Sequence, residues 1–348
     1  MNKICWNWFI SKGENNNEKA KSLCENTGPV LGALICCALW GGAFPAIKVG
    51  YQIYGIESDE NGAQIIFAGC RFILAGFMAL LIGSIIYGQI LYPKFSNLKR
   101  VFVLAMLQTT LQYFFFYIGL AHTTGVKASI IEALNVFVAL LVAALLFRQE
   151  RLSLWKICGC ILGFVGVLII NLSGNGFDLN MTFLGEGCIF LSTVAYAFSS
   201  VFIKRYSEYE HPFTLSAYQF MLGGLILTMV GIGVWEYDHM YKDNGDGRSV
   251  VSVFRSAHGK SELFTANAVI VVLILAGISA IAYSLWGLLL KYNEVSRVAV
   301  FGFLTPIFGV VFSVIFLRED SGQSVEMVLL ALALVSIGTI MVQKKEKE

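Results

Sequence analysis

Ten apolar runs follow one another along this 348-residue chain, at positions 29–49, 64–87, 100–120, 126–147, 154–172, 183–203, 213–235, 267–290, 297–317 and 325–342. Crossing about 30 Å of hydrocarbon takes roughly 20 residues of helix, so runs of this length and number have no place in a soluble core. The runs are continuously apolar and do not alternate, which favours helices over the strands of a membrane barrel. The expected fold class is therefore an all-α polytopic membrane protein with ten transmembrane helices.

Composition agrees: 57% of residues are hydrophobic and only 14% charged, against about 25% charged in a soluble domain. The net charge of +2 comes without any basic cluster interleaved with aromatics, so no nucleic-acid partner is expected. Most of the eight cysteines lie inside apolar runs and none forms a CxxC pair, which fits small apolar residues in buried helices. His122, His211, His239 and His258 lie at helix ends or in loops without metal-ligand spacing, so neither a metal nor another cofactor is expected. A GxxxxGK[ST] loop is also absent, and this chain should not hydrolyse ATP.

Residues 1–28 form a polar tail whose apolar patch, Cys5 to Ile10, is too short for a signal-peptide core. A second polar segment, Glu236 to Thr265, carries Asp243-Asn-Gly-Asp-Gly247 and reads as an exposed loop. Lysines and arginines concentrate in the tail, in 94–100, 148–156 and 204–205, at 291 and 297, and after 343. This bias puts both termini in the cytoplasm of a protein in the plasma (inner) membrane.

The two halves of the chain align with each other. Trp40 to Lys48 lines up with Tyr196 to Lys204, and Arg71-Phe-Ile-Leu-Ala-Gly76 with Gln219-Phe-Met-Leu-Gly-Gly224. Tyr113 through Arg148 matches Tyr283 through Arg318 without a gap. Five spans per half is an odd number, so the second copy must enter from the opposite side. The expected units are an N-tail 1–28, a first repeat 29–172, a second repeat 183–342 and a C-tail 343–348. Carriers built from inverted repeats place their substrate near the bilayer midplane between the copies.

The chain resembles the EamA-type permeases of the drug/metabolite transporter superfamily over about residues 29–342. Carrying the resemblance are Trp40-Gly-Gly-Ala-Phe-Pro45, Arg71-Phe72, Leu145-Leu-Phe-Arg-Gln-Glu-Arg-Leu152 with Gly159, Gly163 and Gly166, and Thr305-Pro306 to Phe316-Leu-Arg-Glu319. It implies a ten-helix inverted-repeat fold that moves small organic solutes, often amino acids and often outward. Two positions depart from the family pattern: Val136 stands where proline is common, and Glu132 where an apolar residue is usual.

Glu132 is the sharpest candidate for chemistry. A carboxylate in the hydrocarbon costs about 2.5–3.5 kcal/mol on insertion scales, so such groups usually face a polar cavity. It reads as a substrate-binding and proton-coupling carboxylate, or as one satisfied by Lys127 near the outer water. Arg71 could hold a substrate carboxylate bidentately or act as a structural tie. Gln108 and Gln112, four apart, share a helix face and with Asn135 could line a polar wall. Trp40, Tyr196, Gln219, Tyr283 and Trp286 complete the candidate substrate-binding set, as aromatic walls with few polar groups suit an amphipathic molecule; packing and interface belts are the competing account of these rings. Pro45 and Pro306 are expected to weaken their helices, with local unwinding or a hinge as the possible result.

The function expected is secondary transport, as an exporter of small organic metabolites, amino acids or related compounds first, by alternating access. The alternatives are a membrane-embedded enzyme, a non-transporting membrane protein, or a carrier of drug or nucleotide-related solutes. No cluster of embedded acids, metal ligands or a nucleophile with its base supports an enzyme. The partners expected are a small-molecule substrate and the lipid bilayer, with the chain a monomer or homodimer.

Overall fold

A computed structural model describes residues 30–57, 60–123, 128, 131–172, 181–241, 266–312 and 325–343. Among them are six helices long and apolar enough to cross a membrane and four shorter apolar ones, in register with the ten apolar runs. In chain order they are α1 Val30–Tyr54, α2 Asn61–Tyr87, α3 Leu98–Ala121, α4 Ile131–Leu146, α5 Leu154–Leu172, α6 Phe183–Tyr206, α7 Pro212–Tyr241, α8 Ala266–Tyr292, α9 Val295–Phe312 and α10 Val325–Gln343. The described residues contain no strand. Helix α7 runs to Tyr241, a turn and a half into what reads from the sequence as the Glu236–Thr265 loop. The rest of that loop, residues 1–28 and 344–348, and Lys127 lie outside the described residues.

Glycines decide which helices meet. A Cβ added to Gly69 of α2 would sit 2.2 Å from Thr228 Oγ1 and 2.9 Å from the Gly224 carbonyl of α7. Near the two ends of the same pair, Gly62 abuts Trp235 and Gly83 abuts Phe213. Rising numbers on α2 thus meet falling numbers on α7, so the two repeat-equivalent helices pack antiparallel. Helices α5 and α10 do the same: a Cβ on Gly159 would lie 2.6 Å from the Gly338 carbonyl, while Gly166 meets Ala331 and Val335. Such close approach matters in lipid, where packing rather than water exclusion drives helix association.

The remaining contacts come in exchanged pairs. Helix α1 packs on α8 and α9, and its counterpart α6 packs on α3 and α4. The Cys36 thiol donates to the Ala282 carbonyl of α8 at 3.3 Å, and the Cys37 thiol to the Phe301 carbonyl of α9 at 3.1 Å. A contact map that survives swapping the halves, with equivalent helices antiparallel, defines an inverted repeat about a pseudo-two-fold axis. Both described chain ends lie on one face of the bundle: Gly32 touches Leu289, and Gln343 Nε2 donates to the Arg297 carbonyl at 2.7 Å.

Helices α3, α4, α6 and α9 are irregular. Helix α3 contains a π segment, Ala105–Leu111, whose extra residue per turn rotates Gln112–Ala121 by about 100° relative to Leu98–Leu104. In α9 a tight turn, Val300–Phe303, precedes Pro306, whose missing N–H leaves the Gly302 carbonyl without its helical partner. In α4 the Leu134 N–H reaches back only to Ile131, at 3.0 Å. Leu134 and Leu304 are repeat equivalents, so both helices break at one register although only the second copy has the proline. Pro45 behaves differently from expectation: α1 continues through it from Val30 to Tyr54. Packing holds that helix, since a Cβ on Gly41 would lie 2.8 Å from the Gly309 backbone nitrogen of α9.

Candidate functional site

The pseudo-two-fold axis passes through four aromatic rings. Phe72 and Phe220, equivalent in the two copies, have ring centroids 5.2 Å apart. Tyr113 and Tyr283, also equivalent, join hydroxyl to hydroxyl at 2.8 Å. Phe72 lies 4.5 Å from Tyr113, and Phe220 lies 5.1 Å from Tyr283. Two residues related by a two-fold can touch only at the axis itself, so this tetrad lies on it.

Other candidates gather on its rim. Trp40 stands edge-on to Tyr283 at 5.1 Å and to Trp286 at 4.9 Å, and both indole nitrogens are buried without a hydrogen-bond partner. Tyr196, the equivalent of Trp40, lies within electrostatic reach of Tyr113 and Tyr283. Arg71, 3% exposed, places its guanidinium carbon 4.6 Å from the Phe72 centroid and 5.9 Å from that of Tyr113. Its Nε has no partner, and no carboxylate lies within ion-pair distance of it among the described residues.

The other predicted residues are placed unevenly. Gln219 Nε2 donates to Gln108 Oε1, leaving Gln108 Nε2 and Gln219 Oε1 unpartnered in the interior. Gln112 also has a buried, unpartnered carbonyl oxygen. Glu132 is half-buried, lies within electrostatic reach of Tyr113, and makes no hydrogen bond or ion pair among the described residues. Asn135, one turn along α4, faces Gly302 of α9.

One cluster was missed from the sequence, where its charges read only as topology signals. On the face that carries the chain ends, Glu150, whose side chain is 1% exposed, binds Lys156 Nζ at 2.9 Å and the Ser296 backbone N–H at 3.1 Å. The Ser296 hydroxyl donates to the same carboxylate. Lys156 also lies 2.9 Å from Glu294, which lies 3.0 Å from Arg297. Burial pushes the Glu294 carboxyl up, but the Lys156 ammonium and then Arg297 outweigh it and hold it below the ordinary carboxylate range. The cluster ties the connection after α4 and the start of α5 to the α8–α9 connection, so it joins the two repeats. The available signal was Glu150 within the family tract, followed six residues on by Lys156.

Antiparallel repeats around a central polar-aromatic cluster define the class: a multi-pass α-helical membrane protein of carrier architecture. The profile of the EamA-like transporter family matches residues 27–172 and 183–342, and this chain belongs to that family. It is 29% identical to an uncharacterized transporter of Archaeoglobus fulgidus over 54% of this chain and 62% of that one. A second transporter from the same organism is 28% identical over 81% and 86%. A protein of Salmonella typhimurium named as a probable amino-acid metabolite efflux pump is 25% identical over 82% of this chain and 86% of its own. A crystal structure with 17% sequence identity superposes with a TM-score of 0.65, covering 91% of this chain and 96% of the other, which shows a shared fold.

Proposed function

We propose that this chain is a secondary transporter that exports small organic metabolites, amino acids or related compounds first, by alternating access of its two five-helix units. The observation that carries this reading is Arg71: a buried guanidinium beside the axial tetrad, without an acidic partner among the described residues. A permanent charge at that depth suits an anionic group that comes and goes. Amino-acid chemistry is supported further by the name of the Salmonella relative, a probable amino-acid metabolite efflux pump. Glu132 serves as the proton-coupling carboxylate, and Trp40, Tyr196, Tyr283 and Trp286 wall the apolar part of the substrate. The lysine and arginine bias supports a plasma-membrane protein with both termini cytoplasmic.

Purified protein in liposomes tests this. Saturable flux of a labelled amino acid, stimulated by unlabelled amino acid on the opposite side, is the expected result. Absence of counterflow across a panel of amino acids and related metabolites would overturn it. Glu132→Gln should retain counterflow while losing the dependence of net flux on a pH gradient.

A further inference from the structure

We propose that the Glu150 cluster is a gate latch: it holds the chain-end face of the bundle shut, and that face opens only when the cluster comes apart. This rests on the alternating-access reading above and assigns the closure of one face to named side chains.

The first support is where the cluster sits. The pseudo-two-fold exchanges two groups of three helices, α1 with α8 and α9, and α6 with α3 and α4. On the chain-end face the cluster crosses from one group to the other. Glu150 and Lys156, from the connection that follows α4 and the start of α5, reach Ser296 and Glu294 at the start of α9. A second crossing adjoins it at the neighbouring residue, where the Lys204 ammonium at the end of α6 donates to the Asn293 carbonyl. Behind both, Val295–Ala299 packs on Asn135–Leu141. The two groups also meet at Tyr113 and Tyr283 on the axis, so parting them at the cluster opens one end of the bundle and not the other.

The second support is chemistry. The Glu150 and Lys156 side chains are 1% and 9% exposed, so the face is sealed where they meet. A buried ion pair adds little net stability, because desolvation offsets most of the attraction. Its advantage is reversibility: parted charges recover their hydration, whereas parted apolar surfaces are left facing water. A contact that breaks and re-forms in every cycle suits charges.

The third support is that the latch belongs to one face only. Carried on in the register of the repeats, Glu150, Lys156 and Glu294 correspond to Asp320, Glu326 and Thr124. An acid, exposed at the start of α10, stands where the latch needs its ammonium group. The opposite face therefore cannot close by the same ion pair.

Hydroxyl-radical footprinting of the full-length protein in lipid nanodiscs reads the solvent access of individual rings. Trp286 and Phe301, each 2% exposed, lie between the tetrad and the cluster along α8 and α9. Trp235, 5% exposed and packed on Gly62, reports the opposite end. Lys156→Gln strips Glu150 of its counter-ion, and entry of water relieves the stranded carboxylate. Oxidation of Trp286 and Phe301 should then rise at least about tenfold while that of Trp235 stays as in wild type. Ser296→Ala removes one donor and no charge; it should move the same rings in the same direction by less, and it decides alone if Lys156→Gln does not fold. A rise at both ends, as a tie that merely stabilises the fold would give, or no rise at either end, overturns the latch and leaves the carrier reading to the liposome counterflow. Wild-type protein without counterflow overturns that reading and the latch with it.

Discussion

Tyr113 and Tyr283 hold the same position in the two halves of the chain and meet each other, hydroxyl to hydroxyl, at 2.8 Å. Each is neighboured by the equivalent phenylalanine, Phe72 for Tyr113 and Phe220 for Tyr283. The contact is therefore both a hydrogen bond and a statement of symmetry, and it ties α3 of one unit to α8 of the other.

A buried hydrogen bond of this kind contributes about 1 kcal/mol net, and an orphaned partner costs about 1–3 kcal/mol. Tyr113→Phe and Tyr283→Phe should each lower thermal stability in detergent. The double variant should be no worse than the poorer single, because it leaves no hydroxyl stranded. Strict additivity of the two losses would show that the hydroxyls do not interact in the folded protein.

The Glu150 cluster predicts an asymmetric pair of mutants. Lys156→Met leaves the Glu150 carboxylate buried without its main counter-ion, a change that typically costs about 3–5 kcal/mol. Adding Glu150→Gln should restore much of that loss. Denaturation monitored by size-exclusion chromatography after heating would read both; a double variant as unstable as Lys156→Met alone would contradict the pairing.

His211 predicts a dependence on pH. It is packed 4.1 Å from Tyr87 and its Nδ1 accepts the Phe213 N–H at 3.3 Å. Burial, with a contribution from Lys291, pushes its pKa down to about 3. The unfolded chain, with histidine near 6.5, binds more protons than the folded one between those values. Stability from His211 is thus complete above about pH 6.5 and falls away as pH drops towards 3. His211→Gln should flatten the melting temperature between pH 7 and pH 5; an unchanged slope would remove His211 as its source.

The close approach of α5 and α10 predicts intolerance of side chains there. Gly338→Val would drive its Cβ to within 2.5 Å of the Gly159 carbonyl, where backbone must shift. Yield of folded protein should drop sharply, whereas Gly233→Val, with nothing within 4 Å of its Cβ, should be tolerated on the measure of monodisperse protein recovered.

The sequence carried the fold well, because lipid leaves a long apolar segment little choice but a helix and because the second copy repeats the order of the first. The alignment of Arg71-Phe72 on Gln219-Phe220 and of Tyr113 on Tyr283 already contained the axial tetrad; what sequence could not supply was that these equivalents touch. Periodicity also could not locate the π segment in α3, since Ala105–Leu111 has the same apolar character as its flanks. Pro45 misled for a related reason: a proline weakens a helix locally, but packing of Gly41 against Gly309 decides whether the helix yields. The Glu150 cluster escaped notice because charges near helix ends serve topology as often as structure, and only coordinates distinguish them.

Arg71 and Gln219 occupy matched places in the two units, one charged and one neutral, and so do Glu132 and Gly302. Under the alternating-access reading proposed above, in which the units exchange roles, the outward-open and inward-open forms would expose chemically unlike walls. On that reading the two forms would differ in energy when empty, giving the unloaded carrier a resting side.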